Sequence, residues 1–369
     1  MLTGRKKLLI AGILAAAVAM AGCGKKDVPE TETAAMTETV AVETETETEA
    51  ETETEPETKE ALPEGKMYSF ITGEVIDEEE GMKRPVAVMI SNIKDALPQS
   101  GLSKAGILYE AVVESDITRM MAVFESTESV GDSLGSVRSS RHYYLDFAHD
   151  EEAIYTHYGW SFVAQDRITN EGIKTINMMY AQPGSCYIRT KDRVAPHNVF
   201  TSGAMLDKGI DMFGIERQLP ENYEGRLKFN TSDKVIESGQ DAYTVDIPFS
   251  SKCQLTYDED NKVYLKYEYG DKHMDAAENV QLSFKNIIIQ KAAYSGYPND
   301  PILKEIQLTG SGEGYYISDG KAVKITWKKD DLNDHTRYYL EDGTQLSMNQ
   351  GHTYIAVVPN EYNITISGK

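Results

Sequence analysis

The sequence predicts an α+β protein, an N-terminal α/β sandwich with a mixed sheet followed by a C-terminal all-β sandwich or barrel. Three observations predict it. Between Arg84 and about Leu219, strand-like and helix-like apolar runs alternate, as they do where helices pack on a sheet. From about Leu227 the pattern changes to short alternating runs parted by turn residues, the grammar of antiparallel hairpins. Pro220 and Gly225 mark a link over 217–226 between the two.

In the first segment, Pro85–Ile90, Ile107–Glu114 and Met120–Glu125 read as strands, the first and third so apolar that they belong at the centre of a sheet. Ser139 or Ser140 is positioned to cap a helix running to about Ala148. Glu152–Tyr158 reads as a strand, Ser161–Ile168 as a helix and Gly172–Met179 as a strand. In the second segment, Cys253–Tyr257 and Lys262–Tyr269 flank the turn Asp258-Glu259-Asp260-Asn261. Further strands fall at Val280–Gln290, Lys304–Thr309, Gly314–Ser318, Ala322–Lys328, Arg337–Leu340 and Thr353–Val358.

Ahead of both segments stands an export signal, residues 1–23. Arg5, Lys6 and Lys7 precede an apolar run from Leu8 to Met20, too short for a mature membrane span. The following Ala21-Gly22-Cys23 resembles a lipobox, in which Cys23 receives a diacylglycerol (palmitate-type acyl chains) and becomes the new N-terminus. Two acyl chains anchor stably, at about 0.8 kcal/mol per buried methylene. The expected location is therefore the outer, extracytoplasmic face of the cell membrane. Residues 24–66 are Thr/Glu repeats and small residues with almost no aromatic or branched apolar side chains, which reads as a disordered acidic tether. They carry roughly ten of the net charges of −22, so the body, 67–219 and 227–369, is only mildly acidic. That balance excludes nucleic acid as a partner. Cys186 and Cys253 fall in different predicted domains and read as separate thiols, with one disulfide as the alternative.

The body resembles the YerB-like lipoproteins of Gram-positive bacteria. The residues that carry the resemblance are Arg84-Pro85-Val86-Ala87-Val88-Met89-Ile90, Pro98-Gln99-Ser100-Gly101-Leu102, Ile117-Thr118-Arg119 through Gly135-Ser136-Val137-Arg138-Ser139-Ser140-Arg141, His157-Tyr158-Gly159 and Ala195-Pro196-His197-Asn198. Later ones are Gly320-Lys321, Trp327-Lys328-Lys329, Gly343 and Gly351-His352-Thr353; Tyr354 stands where the family commonly has tryptophan. The resemblance implies a two-domain extracytoplasmic lipoprotein whose domains have no assigned reaction.

Candidate chemistry centres on Arg138-Ser139-Ser140-Arg141, where a loop opens into a helix and guanidinium forks lie beside hydroxyls, a setting for phosphate or carboxylate. Arg119 is the nearby third arginine; pairing with Glu110, Glu114 or Asp116 as structural ion pairs is the competing reading. Glu110 and Glu114, expected on one strand face roughly 13 Å apart, are too distant to act together as an acid–base pair. Each remains a candidate base or ligand with another partner. His157, His197 and Asn198 are candidate catalytic or ligand residues in or beside loops. Trp327, Lys328, Lys329 and Tyr354 are read either as core or as an exposed patch. No His-Glu-x-x-His or Cys-x-x-Cys occurs, so no metal is expected, and no cofactor is identified.

Two function classes compete, with a third behind them. One is a cell-envelope binding or adaptor protein, tethered by lipid, whose arginine-rich site takes an anionic cell-wall or lipid-phosphate ligand while the β segment docks an envelope protein. The other is an envelope enzyme, a transferase or hydrolase acting on a phosphate-linked lipid or glycan and faintly like the LytR-CpsA-Psr transferases. A purely structural scaffold is the third.

Overall fold

Seven consecutive buried residues, Val86–Asn92, form strand β1. Such a run leaves no face for water, so the strand must lie inside a sheet covered on both sides. The same holds for β2, Ile107–Val112, and β3, Thr118–Phe124. These belong to a computed structural model that describes residues 62–369; the signal, Cys23 and the tether through residue 61 lie outside the described residues. The expected tether ends earlier than residue 66, because Lys66–Tyr68 already pairs with Val75–Asp77.

After β3 come helix α1 (His142–Asp150), β4 (Ile154–His157), α2 (Phe162–Asn170), β5 (Ile176–Asn177) and α3 (Gly203–Phe213). The second segment supplies β6 (Thr244–Ile247), β7 (Cys253–Asp258), β8 (Val263–Glu268), β9 (Asn286–Ala292), β10 (Gly310–Ser318), β11 (Lys321–Lys329), β12 (Thr353–Pro359) and β13 (Thr365–Ser367). The arrangement is α+β and mostly strand. One large mixed sheet runs β11-β10-β9-β12-β2-β3-β1-β4-β5, and a smaller one runs β8-β7-β6-β13.

The second segment does not close on itself into a sandwich or barrel. Its strand β12 pairs parallel with β2, Thr353 opposite Ile107 through Val357 opposite Ala111, and parallel with β9 on its other side. All seven residues of β12 are buried, so it needs cover on both faces and a partner on both edges, and the first segment provides one edge.

Alternation along the strands divides the core. Leu108, Val112, Val88, Ile90 and Met120 belong to a cluster that includes Val245, Cys253, Leu255 and Phe284 of the smaller sheet region. Ile107, Tyr109, Ala111, Met89 and Met121 face the opposite way, against Tyr143, Tyr144 and Phe147 of α1. Each of the buried valines, leucines, isoleucines, methionines and phenylalanines among them contributes about 1.5–3 kcal/mol.

Several boundaries differ from expectation. Neither Ser139 nor Ser140 caps α1; Arg141 occupies that position without a side-chain cap. Ser140 is instead buried and accepts a hydrogen bond from Tyr155 Oη at 2.9 Å. The strand expected from Glu152 starts at Ile154, because the helix runs on to Asp150 and Glu152 turns with φ 51°. Gly172–Met179 reduces to β5 followed by a single turn, Met178–Tyr180. The expected Val280–Gln290 strand is broken into Val280–Gln281, Ser283–Phe284 and β9. Helix α3 was not foreseen. Ser202 caps it by accepting from Met205 N at 3.3 Å, and Gly214, at φ 59°, ends it in the left-handed conformation. Trp327, Lys329 and Tyr354 are core residues, not a surface patch. Among the described residues no helix is long and apolar enough to cross a membrane.

Candidate functional site

Three guanidinium groups meet where β3, the segment before α1 and the end of β2 come together. Arg119, in β3, is buried and donates to Ser139 O while facing Glu114 Oε2 at 3.5 Å. Arg141 also pairs with Glu114, and its Nη1 donates to Ser140 O at 2.6 Å. Arg138 is half-buried, and its guanidinium has neither a hydrogen bond nor an ion pair among the described residues. Its backbone is nonetheless fixed: Arg138 N donates to Met89 O at 2.9 Å, and Tyr158 N donates to Arg138 O at 3.0 Å.

The electrostatics follow from that count. One carboxylate, Glu114, serves three arginines. Burial and then the neighbouring Arg141 and Arg138 charges, opposed by Glu114, bring the Arg119 guanidinium down to about 10. Burial and Arg141 lower Arg138 in the same direction. Such a site is short of negative charge and has fixed donors, which is what phosphate or carboxylate oxygens match.

His197 adjoins the cluster. Its Nδ1 lies 3.5 Å from Ser91 Oγ, and burial followed by the Arg138 charge pushes its pKa down. It also lines an open cavity of about 650 Å³ together with Asp95, Arg193 and Pro196. Asn198 turns to Arg189, whose Nη1 donates to Asn198 Oδ1 at 2.7 Å. His157 does not reach the cluster. Buried in the sheet, it donates from Nδ1 to Gly159 O at 2.7 Å and meets Thr175 Oγ1 at 3.0 Å, and burial holds its pKa at about 4. Ser139 is half-buried and contributes its carbonyl, while Ser140 is fully buried.

Glu110 and Glu114 are not on one strand face, because β2 ends at Val112 and Glu114 lies beyond it. Glu110, by alternation, faces away from Arg119 and enters a different network. There Tyr354 Oη donates to Glu110 Oε2 at 2.6 Å, and Lys266 Nζ lies 3.2 Å from the same oxygen. Lys266 also pairs with Glu268. Asn92 Nδ2 bridges Glu110 Oε1 at 2.8 Å and Glu268 Oε1 at 2.9 Å. His273 Nε2 donates to Gln99 Oε1 at 2.8 Å, leaving Nδ1 to accept from Lys266 Nζ at 3.3 Å. Burial and the Lys266 charge drive His273 well below its usual value, consistent with that neutral tautomer. Burial raises the Glu110 carboxyl against the pull of Lys266. Sequence reasoning missed Lys266, Glu268 and His273 altogether. Their one signal is charge on both Lys266 and Glu268 in a run whose Leu265 and Tyr267 would ordinarily face inward.

This network joins β1 and β2 to β8 and β12, so its residues are fixed by sequence positions more than 150 apart, as in the 176-residue separation of Asn92 and Glu268. Residues 71–216 match the family model described as "Protein of unknown function (DUF3048) N-terminal domain", and residues 245–355 match its C-terminal counterpart. The chain belongs to the YerB-like two-domain family. It is 28% identical over 311 residues to the Bacillus subtilis (strain 168) protein named "Putative lipoprotein YerB", covering 82% of this chain and 90% of that one. The crystal structure of the YerB protein from Bacillus subtilis superposes with a TM-score of 0.71 at 26% identity, covering 81% of this chain and 99% of the other. The family's two domains are thus, in this chain, two sequence segments that complete one sheet.

Proposed function

We propose that the protein is a lipid-anchored, extracytoplasmic binding protein of the cell envelope whose ligand carries a phosphate or carboxylate group. The relative named a lipoprotein and the lipobox-like Ala21-Gly22-Cys23 support the anchor and the location. The observation that carries the binding reading is Arg138, an unpaired guanidinium held beside two arginines that share one carboxylate. His197, whose pKa the Arg138 charge helps to lower, lines an open cavity beside the cluster. Ser139, with its hydroxyl on the same segment, is the candidate for a further contact.

Calorimetry on the full chain in nonionic micelles, with pyrophosphate as probe, tests this. Binding should be saturable, and Arg138→Gln should weaken it roughly 10- to 100-fold, the worth of one charge-assisted contact. Equal binding by both chains would remove Arg138 from the site, and no binding of pyrophosphate, phosphate or a diacylglycerol phosphate would remove the anion site. Hydrolysis or transfer of phosphate during the titration would move the reading to an enzyme.

A further inference from the structure

We propose that His149, Glu152 and His335 form a binding site for one divalent transition-metal ion of the zinc type, where the end of α1 meets the loop after β11. The three candidate ligand atoms lie within 4.8 Å of one another. His335 Nε2 is 3.1 Å from Glu152 Oε1, and His149 Nδ1 is 3.9 Å from the same oxygen. Tetrahedral zinc with bonds of about 2.0–2.2 Å sets its ligand atoms about 3.4 Å apart, so only small side-chain shifts close the set. The side chains can make them: His149 is 37% exposed, Glu152 21% and His335 20%.

The tautomer of His149 is already the one a metal needs. Its Nε2 faces the carbonyl oxygen of Asn333 at 3.3 Å, and a carbonyl only accepts. Nε2 therefore carries a proton, and Nδ1 is the nitrogen directed at Glu152. A metal-bound histidine whose second nitrogen donates to a backbone carbonyl is the recurrent outer arrangement of such centres.

The scaffold on both sides is rigid. Glu152 N donates to His149 O at 2.9 Å, and Arg84 Nε donates to Glu152 O at 2.7 Å. Across the contact, Asp331 Oδ1 accepts from Asn333 N at 2.7 Å, and Asp150 Oδ1 accepts from both Thr336 N and Lys329 Nζ at 2.9 Å. His335 is therefore presented by a loop fastened to α1 itself. The positive charge of Arg84 opposes a bound cation, but its guanidinium is directed at the Glu152 and Ala153 carbonyls. Three protein ligands leave a coordination position for water or an exogenous ligand. His149 stands at the edge of a cavity of about 460 Å³ lined also by Arg84, Arg167 and Asn333. The two imidazoles are stacked, 4.9 Å between centroids, so both rings already stand at the same spot.

The test uses the full chain in nonionic micelles, purified without a histidine tag and stripped with chelator, then titrated with zinc chloride by calorimetry and followed by thermal unfolding. The expected result is one zinc per chain and a rise in melting temperature with zinc but not with magnesium. His335→Ala and Glu152→Gln should each weaken binding at least tenfold, while His142→Gln, elsewhere on α1, should leave it unchanged. Circular dichroism of each variant verifies folding, and His149→Ala serves as the second histidine probe. Absence of stoichiometric zinc binding, or binding undiminished in the His149→Ala/His335→Ala chain, would overturn the proposal.

Discussion

Arg138 is the residue whose surroundings leave the most undone. A half-buried guanidinium without a partner is costly, so the loop that holds it is retained against a local penalty. Arg138→Gln should therefore leave stability unchanged or raise it slightly, even as it weakens anion binding; a melting curve beside the calorimetric titration checks both. Lys266 is the reverse case, fully buried and fully paired. Lys266→Met leaves Glu110 and Glu268 in the core without their cation and should cost about 3–5 kcal/mol in urea unfolding. His157 supplies one part of the pH response, and buried His273 acts in the same direction. At His157 the unfolded chain takes its proton near 6.5 and the folded chain near 4, so stability is fully present above pH 6.5 and falls as pH drops from there toward 4. The loss should reach roughly 3 kcal/mol, and His157→Asn should flatten that part of the pH–stability profile.

Among the elements, those with strong local signals match the sequence reading closely. Helix α2 follows Ser161, which accepts from Ala164 N at 3.2 Å, and Ser161→Ala should cost about 1 kcal/mol by thermal unfolding. Strand β8 shows where local signals mislead. Its buried positions are Tyr264, Lys266 and Glu268, while Val263, Leu265 and Tyr267 are the partly exposed ones. Hydrophobic alternation would turn the strand over. What fixes the observed register is Glu110 and Asn92 from the first segment, whose buried polar groups require the Lys266 and Glu268 side chains. Helix α1 shows a milder form of the same effect. Its start is set by the ion pairs of Arg141 and by the Tyr155 bond to Ser140, not by a capping hydroxyl.

For the molecule as a whole, the decisive feature is β12, inserted between β2 of the first segment and β9 of the second. Deleting residues 353–369 exposes two apolar strand edges and removes Tyr354 from Glu110, so the truncated chain should lack cooperative unfolding and aggregate. The intact chain should unfold in a single calorimetric transition rather than as two domains. The sequence by itself determined the strand-rich α+β character and the arginine-rich segment, because composition, apolar periodicity and short motifs are local properties. Only the tertiary structure decided that both segments share one sheet, that Glu110 and Glu114 enter separate networks, and that His149 meets His335. Each of those depends on contacts between residues far apart in the chain, and no local pattern records which distant strand or loop will supply the complementary charge.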